Sequence, residues 1–319
     1  MNIKKEAAKT IPKTANLSAD IGGTNTRIYI YTAQGKNVKI WAKYFFKTQE
    51  LKNFKQALNY VIKDTKVKIK KGTIAAAGPV SKDRKNCKIT NAKWQIKTKE
   101  LKFKTLLLND FEALGYSINT LKEKDTKTIQ KGKQEQKETK GLIGAGTGLG
   151  KAILIYDNQK KIYKPYASEG GHADLPIYDT ELMQFLKGAN KTIEYESIIS
   201  GQGLKTLHDY YQTIMGGPRD LSPAEIMESK TIAAMKAKKE FIKYYARCAK
   251  NFALDILAKG GMYIGGGIAQ KNPTIFGKNF IEEFLNNKTF GSLLKKIPIK
   301  IITKEDANIM GAILANEIK

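Results

Sequence analysis

The chain has 319 residues, of which 41% are hydrophobic and 9% aromatic, and its formal net charge is +26. This length and composition allow two ordinary domains or one large one, and they exclude a disordered chain. No apolar run approaches the roughly eighteen residues that a bilayer span needs, which excludes a membrane-spanning helix. Two cysteines exclude a disulfide framework and a cysteine-rich zinc site. The first 16 residues lack the apolar core of a secretory signal, so we expect a reducing, cytoplasmic compartment.

The positive charge is carried almost entirely by lysine. Of the 56 lysines and arginines, the arginines are only Arg27, Arg84, Arg219 and Arg247. Base-specific readout favours the planar guanidinium group, and the lysines are spread along the chain rather than clustered with aromatic residues. We therefore interpret the charge as a solvated surface, and we predict no specific nucleic-acid partner and no membrane partner. Binding of a polyanion such as polyphosphate stays open.

Short β-rich segments alternate with segments of helical periodicity, which predicts an α/β fold. In chain order the pattern predicts strands at 17–21, 26–31 and 38–46, a helix at 51–64, strands at 73–77 and 105–108, and a helix at 111–121. The lysine-rich segment 121–140 has no periodicity and is predicted to be an exposed loop. Beyond it we predict strands at 141–145 and 151–156, helices at 179–187, 203–215 and 232–259, a strand at 262–264, and a final helix at 306–318.

A first glycine turn has the sequence DIGGTNTR at residues 20–27, between two predicted strands. Glycines let a backbone approach a ligand closely, and successive N–H groups can converge on a phosphate. The turn consists of Gly22, Gly23, Thr24 and Asn25. Asp20 ends the preceding strand, where a carboxylate can orient a hydrated Mg²⁺ ion beside the phosphate. An ordinary Gly-Gly hairpin is the alternative, but it does not explain the polar cluster.

A second turn of this kind has the sequence GAGTGLG at residues 144–150. Four glycines in seven residues are costly in a sheet unless the backbone needs a positive φ or a close approach. The sequence is neither a P-loop nor a dinucleotide fingerprint, because a strand rather than a helix is predicted to follow. Gly23-Thr24 and Gly146-Thr147 lie 123 residues apart, a faint internal repeat. We interpret Gly146, Thr147 and Gly148 as a second phosphate turn, with chance similarity as the alternative.

Two further sites follow predicted strands. Gly265, Gly266 and Gly267 could let a flat adenine ring lie against the backbone, although a plain strand-to-loop turn is an equal alternative. Asn109 and Asp110 stand where an apolar strand meets a helix, and α/β proteins bind ligands at such strand ends. A carboxylate there could take a proton from a hydroxyl that attacks a phosphoryl group, or it could be a helix N-cap. Local sequence does not decide between these two roles.

The segment EGGH at residues 169–172 contains one of only two histidines. With Glu169, His172, the later Glu196 and the earlier Asn91, it offers carboxylate, imidazole and amide groups. Such groups suit a polyhydroxylated ligand, because each sugar hydroxyl both donates and accepts. A zinc site formed by His172, Glu169 and Glu196 is the rival, although the spacing matches no established zinc motif. His208, within a helical stretch, is predicted to be structural.

Taken in order, these motifs resemble the bacterial ATP-dependent glucokinase family, within the hexokinase and actin-like ATPase superfamily. The resemblance runs from residue 17 to the C-terminus and is carried by ADIGGTNTR (19–27), TNAKW (90–94), LNDFEA (108–113), GAGTGLG (144–150), EGGHADLP (169–176), ESIISGQGL (196–204) and YIGGG (263–267). Each motif alone is weak, but the ordered series is highly specific. The chain departs from the family in its extra N-terminal residues, its lysine-rich 121–140 segment and its high positive charge, which leaves the phosphoryl donor open.

The resemblance implies a two-domain α/β fold of the actin-like ATPase (ribonuclease H-like) type, with the active site in an interdomain cleft. The smaller domain would combine residues 1–109 with 304–319, and the larger would span 110–303. The implied general base, which takes the proton of the sugar 6-hydroxyl, is Asp110. The implied sugar contacts are Asn109, Glu169, His172, Glu196 and Asn91. The implied phosphate, adenosine and water-mediated Mg²⁺ contacts are Gly23, Thr24 and Asn25, then Thr147 and Gly148, then Gly265–Gly267, and finally Asp20.

The expected function is transfer of the ATP γ-phosphoryl group to the 6-hydroxyl of glucose, a glycolytic reaction that uses Mg²⁺ and gives glucose 6-phosphate and ADP. The expected partners are glucose and ATP, and a homodimer is left open. A kinase for another hexose, or one that uses polyphosphate, is the alternative. A sugar-sensing regulator would normally need a helix-turn-helix module, for which the residues before the first predicted strand leave no room. A zinc-dependent repressor/kinase relative would need a cysteine cluster, and a general nucleic-acid-binding protein is the last alternative.

Overall fold

The computed structural model of the protein describes residues 3–35, 37–90, 92–177, 179–189, 191–216 and 220–318. The strands are β1 (Lys4–Ala7), β2 (Thr14–Ile21), β3 (Asn25–Gln34), β4 (Asn37–Lys47), β5 (Lys68–Ala76), β6 (Asn86–Lys88), β7 (Gln95–Lys97), β8 (Lys104–Asn109), β9 (Thr126–Gln130), β10 (Lys140–Ala145), β11 (Leu149–Asp157), β12 (Ile162–Ser168), β13 (Gly261–Gly265) and β14 (Ile299–Ile302). The helices are α1 (Phe54–Thr65), α2 (Asp110–Ser117), α3 (Thr180–Gly188), α4 (Gly201–Met215), α5 (Pro223–Glu228), α6 (Ile232–Asp255), α7 (Gly266–Lys271), α8 (Lys278–Leu285), α9 (Gly291–Lys296) and α10 (Ala307–Glu317).

The chain divides into two compact units. The first comprises Met1–Leu121, Asn158–Tyr163 and Glu305–Lys319, and the second comprises Lys122–Asp157 and Lys164–Lys304. The family resemblance implied a boundary between residues 109 and 110, whereas the structure places α2 in the first unit. The two elements α2 and α10 share a small buried cluster, which explains this difference.

Close packing of α2 on α10 depends on small residues. Ala113 of α2 and Ala312 of α10 are both fully buried in the shared cluster. A Cβ atom on Gly311 would lie 1.9 Å from the carbonyl oxygen of Ala113. Only glycine allows this approach, so Gly311 holds the C-terminal helix against the helix that carries Asp110.

The first unit is built on a six-stranded sheet with the strand order β1-β4-β3-β2-β5-β8. The first four of these strands pair antiparallel, whereas β5 runs parallel to β2 and β8 runs parallel to β5. Leu17, Ala19 and Ile21 of β2 join the main core of this unit. Ser18 points to the opposite face, where its hydroxyl donates to the Ile309 carbonyl of α10 at 3.3 Å. Strand β2 is therefore covered on both faces, as central strands of α/β sheets usually are.

The parallel strands of the first unit end at one edge of the sheet. Ile21, the last residue of β2, pairs with Ala76 of β5, and Ala76 pairs with Asn109 of β8. The segments that follow β2 and β8 therefore begin side by side. This edge is where α/β proteins place ligands.

The second unit contains a sheet with the order β12-β11-β10-β13-β14-β9. Strand β10 pairs antiparallel with β11 and parallel with β13, and β13 pairs parallel with β14. Its core includes an aromatic cluster in which Tyr245 of α6 makes edge contacts with Phe241, Phe276 and Phe280. None of the helices in the described part of the chain has the length and apolar character needed to cross a membrane.

The prediction of a loop at residues 121–140 was wrong in part. Strand β9 lies within this segment and pairs antiparallel with β14 at the edge of the second sheet. The amide of Gln130 donates to the carbonyls of Leu294 at 2.9 Å and Ile297 at 2.6 Å, which fixes the end of the strand. An edge strand buries few side chains, so β9 lacks the apolar alternation by which strands are recognised.

The sequence analysis also missed a strand that precedes the predicted one at residues 17–21. Strand β1 pairs with β4 at the edge of the first sheet, and all four of its residues are exposed. Its sequence, Lys-Lys-Glu-Ala, is polar because its residues are exposed, and Lys5 and Glu6 form surface ion pairs with Asp64 at 2.7 Å and Lys43 at 3.1 Å. Lysines on an edge strand also discourage pairing with other chains.

Candidate active site

The first glycine turn joins β2 to β3, and its carbonyl groups are held on one side. The Thr48 hydroxyl donates to Gly22 O at 2.7 Å, the Gln49 amide to Gly23 O at 2.9 Å, and the Thr48 N–H to Thr24 O at 2.9 Å. In a trans peptide the carbonyl and the following N–H point in opposite directions. The N–H groups of residues 23–25 therefore point away from Thr48 and Gln49. Such a row of backbone donors can bind a phosphate group.

Asp20 lies at the end of β2, and 15% of its side chain is exposed. Its Oδ2 atom is 3.8 Å from Nη1 of Arg27, and its Oδ1 accepts from the Asn308 amide at 3.4 Å. Burial raises the pKa of Asp20, and these two neighbours oppose that rise without cancelling it. A further positive charge beside the carboxylate would therefore stabilise its ionised form.

Asn109, rather than Asp110, caps helix α2. Its Oδ1 accepts from the N–H of Phe111 at 2.8 Å and from that of Glu112 at 3.4 Å. Its Nδ2 donates to the Gly78 carbonyl at 3.2 Å. Asp110 is the first residue of the helix, and its Oδ1 also accepts from the Phe111 N–H, at 2.9 Å. Since Asn109 supplies the cap, the Asp110 carboxylate is available for another role.

The electrostatics of Asp110 differ from those of an ordinary surface carboxylate. Desolvation, followed by the negative charge of Asp20, raises the pKa of Asp110 to about 7. Hydrogen bonds from backbone N–H groups, including that of Phe111, partly offset the rise. A carboxylate with a pKa near 7 can accept a proton near neutral pH and release it again.

An ion pair that the sequence did not predict braces α2. Nη1 and Nη2 of Arg84 lie 2.9 Å and 3.0 Å from the two carboxylate oxygens of Glu112. Nη1 of Arg84 also donates to the Leu107 carbonyl of β8 at 3.2 Å. One guanidinium group thus ties strand β8 to helix α2 on either side of Asp110. The partners are 28 residues apart in sequence, so no local pattern signals them.

The predicted sugar contact Asn91 lies outside the described residues. Thr90, just before it, donates its N–H to the Ala77 carbonyl at 2.8 Å. The chain therefore passes the end of β5 immediately before residue 91. The role of Asn91 stays a prediction.

The second glycine turn joins β10 to β11. The Gly146 N–H donates to Gly148 O at 2.8 Å, and Gly146 O accepts from the Gly201 N–H at 2.8 Å. Thr147, at the tip of the turn, is exposed. The turn therefore has the strand–turn–strand form predicted from the sequence, and its tip is accessible to a ligand.

Glu196 lies directly beside the second turn. Its Oε2 accepts from the Leu149 N–H at 2.7 Å. A Cβ atom on Gly148 would lie 2.5 Å from the same oxygen, so the glycine makes room for the carboxylate. The structure thus brings the predicted sugar contact Glu196 and the predicted phosphate turn together within the second unit.

The EGGH segment forms a tight turn beside β11. The His172 N–H donates to the Glu169 carbonyl at 3.0 Å, which closes the turn. A Cβ atom on Gly171 would lie 2.2 Å from the Leu149 carbonyl oxygen, so only glycine allows this packing. Leu149 therefore contacts both the EGGH turn and Glu196. Glu169 and His172 are both exposed.

The imidazole of His172 has a partner that the sequence analysis missed. Nδ1 of His172 is 3.0 Å from Oε1 of Glu194, two residues before Glu196. This contact is the largest cause of the raised pKa of His172, and the charges of Glu196 and Glu169 act in the same direction. In the part of the chain that the structure describes, no three potential metal ligands come together, so the zinc arrangement considered from sequence is not found there.

The third glycine segment follows β13 beside the second turn. Gly265, the last residue of β13, pairs with Gly144 of β10, so both turns leave the sheet at the same edge. Gly266 has φ +82°, and a Cβ atom there would lie 2.5 Å from the Ala145 carbonyl oxygen. Helix α7 begins at Gly266, so the strand leads into a helix rather than a loop, and the adenosine contact stays a prediction. Gly267 is exposed, with open space around the position of a Cβ atom.

The chain is similar in sequence and in fold to known glucokinases. The profile of the glucokinase family, described as Glucokinase, matches residues 17–318. A glucokinase from Nostoc punctiforme is 30% identical over 94% of this chain and 98% of its own. The crystal structure of a glucokinase from an Antarctic psychrotroph superposes with a TM-score of 0.80 at 24% identity, covering 95% of this chain and 98% of that one. Glucokinase from Balamuthia mandrillaris, solved in complex with glucose, gives 0.78 at 21% identity, covering 95% and 94%.

The mixed α/β fold is therefore that of the actin-like ATPases, as the resemblance predicted. The family match extends over nearly the whole chain. The chain belongs to the glucokinase family and is an ATP-dependent hexose kinase.

Proposed function

We propose that this kinase transfers the γ-phosphoryl group of ATP to the 6-hydroxyl of glucose, giving glucose 6-phosphate and ADP, with Asp110 as the general base. The observation that carries the proposal is the state of Asp110. Its carboxylate stands at the carboxyl end of β8, does not serve as the helix cap, and has a pKa raised to about 7. A base with that pKa can take the hydroxyl proton as the oxygen attacks the phosphorus atom.

The glycine turns are suited to the nucleotide. The N–H groups of residues 23–25 point away from the segment that fixes the carbonyls of residues 22–24, which supports a role in binding phosphate oxygens. In the second unit, the turn at Gly146, Thr147 and Gly148 would bind phosphate in the same way. The open space at Gly267 would let an adenine ring lie against the backbone. Phosphoryl transfer depends chiefly on such alignment and on neutralisation of charge.

The residues around Asp20 fit a magnesium ion held through water. The charge of Arg27 and the hydrogen bond from Asn308 stabilise the ionised carboxylate only in part, and its negative charge raises the pKa of Asp110. Mg²⁺ prefers carboxylate and water oxygens, so a hydrated ion would be stabilised beside this carboxylate. When bound, Mg²⁺ would neutralise charge on the transferred phosphoryl group. Asp20 itself would orient the water ligands of the ion.

The sugar would be held by Asn109, Glu169, His172 and Glu196, with Asn91 as a further contact. The side-chain oxygen of Asn109 caps the helix, and its amide donates one hydrogen to the Gly78 carbonyl. The second amide hydrogen can therefore be donated to a sugar hydroxyl. Oε2 of Glu196 accepts a hydrogen bond from the Leu149 N–H, and Oε1 can accept one from a sugar hydroxyl. A site that pairs each hydroxyl in this way strongly rejects a sugar that lacks one.

The decisive experiment replaces the proposed base. In Asp110→Asn we expect kcat for glucose phosphorylation to fall about 10²- to 10⁴-fold. Glucose binding, measured by calorimetry, should persist, because the amide keeps the shape of the side chain. Asp83→Asn, at an exposed acid of the same unit, is the matched control and should retain activity. Turnover within tenfold of the wild type in Asp110→Asn would remove the assignment.

The net charge of +26 supports one alternative, a kinase that takes polyphosphate as its donor. Both phosphate turns would serve that donor equally well. A coupled assay across several hexoses, with ATP and polyphosphate each supplied as donor, distinguishes the two. Turnover with polyphosphate well above that with ATP would favour the alternative.

A further inference from the structure

A short antiparallel pairing fixes the segment that precedes Glu196 against the EGGH turn. The Leu175 N–H donates to the Ile193 carbonyl at 3.1 Å, and the Tyr195 N–H donates to the Ala173 carbonyl at 3.0 Å. Asp174 and Glu194 form the bridge between these two hydrogen bonds. The backbone of Glu194 is therefore held in register with the turn that ends at His172.

This register brings the Glu194 carboxylate to one particular nitrogen of the imidazole. Oε1 of Glu194 is 3.0 Å from Nδ1 of His172. A carboxylate only accepts hydrogen bonds, so Nδ1 must carry the hydrogen. The partner of one ring nitrogen determines the protonation of the other, and here the Nε2 atom is left for a ligand. The His172 side chain is 52% exposed and that of Glu194 only 20%, which is consistent with a supporting carboxylate behind an accessible ring.

We propose that Glu194 is a positioning residue for sugar binding: it holds His172 with its hydrogen on Nδ1 and directs Nε2 to a hydroxyl group of the hexose. The inference rests on the proposed function, in which His172 contacts the sugar. It adds a residue outside the set that the sequence motifs indicated. Glu194 touches neither sugar nor nucleotide in this role and acts only through the imidazole.

The charge of Glu194 has a second consequence. Three carboxylates, those of Glu194, Glu196 and Glu169, act on the imidazole, and all three raise the pKa of His172. The protonated ring donates from Nε2 to a hydroxyl oxygen, whereas the neutral ring with hydrogen on Nδ1 accepts from a hydroxyl hydrogen at Nε2. A sugar hydroxyl can satisfy either form without rotation of the ring, because the Nδ1–H bond to Glu194 is the same in both.

The first test needs no substrate. The chain has only two histidines, His172 and the buried His208, so ¹⁵N-histidine labelling gives a spectrum in which His172 is readily assigned. In the wild type we expect the neutral form of His172 to carry its hydrogen on Nδ1. In Glu194→Ala we expect the Nε2–H form that isolated imidazoles favour, and titration of His172 at a lower pH. An unchanged tautomer in Glu194→Ala would overturn the proposal.

The second test measures the consequence for the sugar. In Glu194→Ala we expect KM for glucose to rise about 5- to 20-fold with kcat changed less than about twofold, the pattern of lost binding rather than lost chemistry. Glu194→Gln should restore much of the KM, because its amide oxygen still accepts from Nδ1, while His172 still titrates at a lower pH than in the wild type. Glu282→Gln, at an exposed acid of α8, is the control and should match the wild type in both measurements.

The two tests separate this inference from the proposed function. A wild-type enzyme that fails to phosphorylate glucose contradicts the function, and the tautomer measurement still decides the geometry. An active wild type with an unchanged glucose KM in Glu194→Ala contradicts the positioning role alone. If His172→Ala also leaves that KM unchanged, the error lies in the assignment of His172 to the sugar.

Discussion

The two units of the molecule contain the same arrangement of three strands, but different residues follow those strands. In the first unit, β2 turns into the antiparallel β3 and has the parallel β5 on its other side. In the second, β10 turns into the antiparallel β11 and has the parallel β13 on its other side. Each glycine turn comes directly after the central strand of its group. The repeat seen in the sequence at residues 23–24 and 146–147 thus corresponds to a repeat in topology.

The two units differ in the residues that come directly after their parallel strands. In the first unit, β8 continues the parallel set and leads into Asp110, with Asp20 close enough to raise its pKa. In the second, β13 leads into Gly265–Gly267, where a bare backbone replaces charged side chains. The same arrangement of strands therefore leads to carboxylates with raised pKa values in one unit and to closely packed glycines in the other. Substitutions in each unit can test this division separately.

The largest expected effect is the pH dependence of catalysis, which should originate in the first unit. As the proposed base, Asp110 must be ionised to accept a proton. Since its pKa is about 7, kcat/KM for glucose should fall about tenfold per pH unit below that value. Asp20→Asn removes a charge that raises this pKa, so the acid limb should move to lower pH. Initial rates measured from about pH 5 to about pH 9, with circular dichroism to confirm folding at each pH, check both statements. An acid limb that stays in place in Asp20→Asn would contradict the electrostatic coupling.

The next effect should come from the glycines of the second unit. Gly266→Ala forces a side chain into a positive φ and against the Ala145 carbonyl, and should lower the free energy of unfolding by about 1–3 kcal/mol. It should also raise KM for ATP, because the nearby turns must shift. Gly267→Ala is the matched control, since its Cβ atom meets open space, and its stability should stay within about 0.5 kcal/mol of the wild type. Stability is measured by urea denaturation. An equal loss of stability in both variants would show that the close contact and positive φ at residue 266 do not cause the destabilisation.

The smallest effect concerns the brace on α2. Arg84→Ala leaves the Glu112 carboxylate, which is 13% exposed, without its guanidinium partner. Because Arg84 is partly exposed, water compensates for some of the lost interaction. We therefore expect the free energy of unfolding to fall by about 1–2 kcal/mol and kcat to fall modestly. Lys85→Ala, at a neighbouring side chain that is 65% exposed, should change neither. Wild-type stability in Arg84→Ala would mean that the ion pair does not stabilise α2.

Much of the candidate site could be proposed from the sequence because its residues belong to local patterns. A glycine turn between two strands, or a carboxylate after an apolar strand, is visible within a short stretch of sequence. The missed parts have partners far away in the chain or lack an apolar pattern. Arg84 and Glu112 are 28 residues apart, His172 and Glu194 are 22 apart, and no residue of β9 is fully buried.

The sequence by itself determined the α/β class, the glycine turns and the family, because these depend on residue types at short spacing. It left the roles of Asn109 and Asp110 open, since either residue can cap a helix. Only the tertiary structure decided that Asn109 is the cap and that burial and Asp20 raise the pKa of Asp110. Burial and charge arise from groups that folding brings together, so no reading of adjacent residues can supply them.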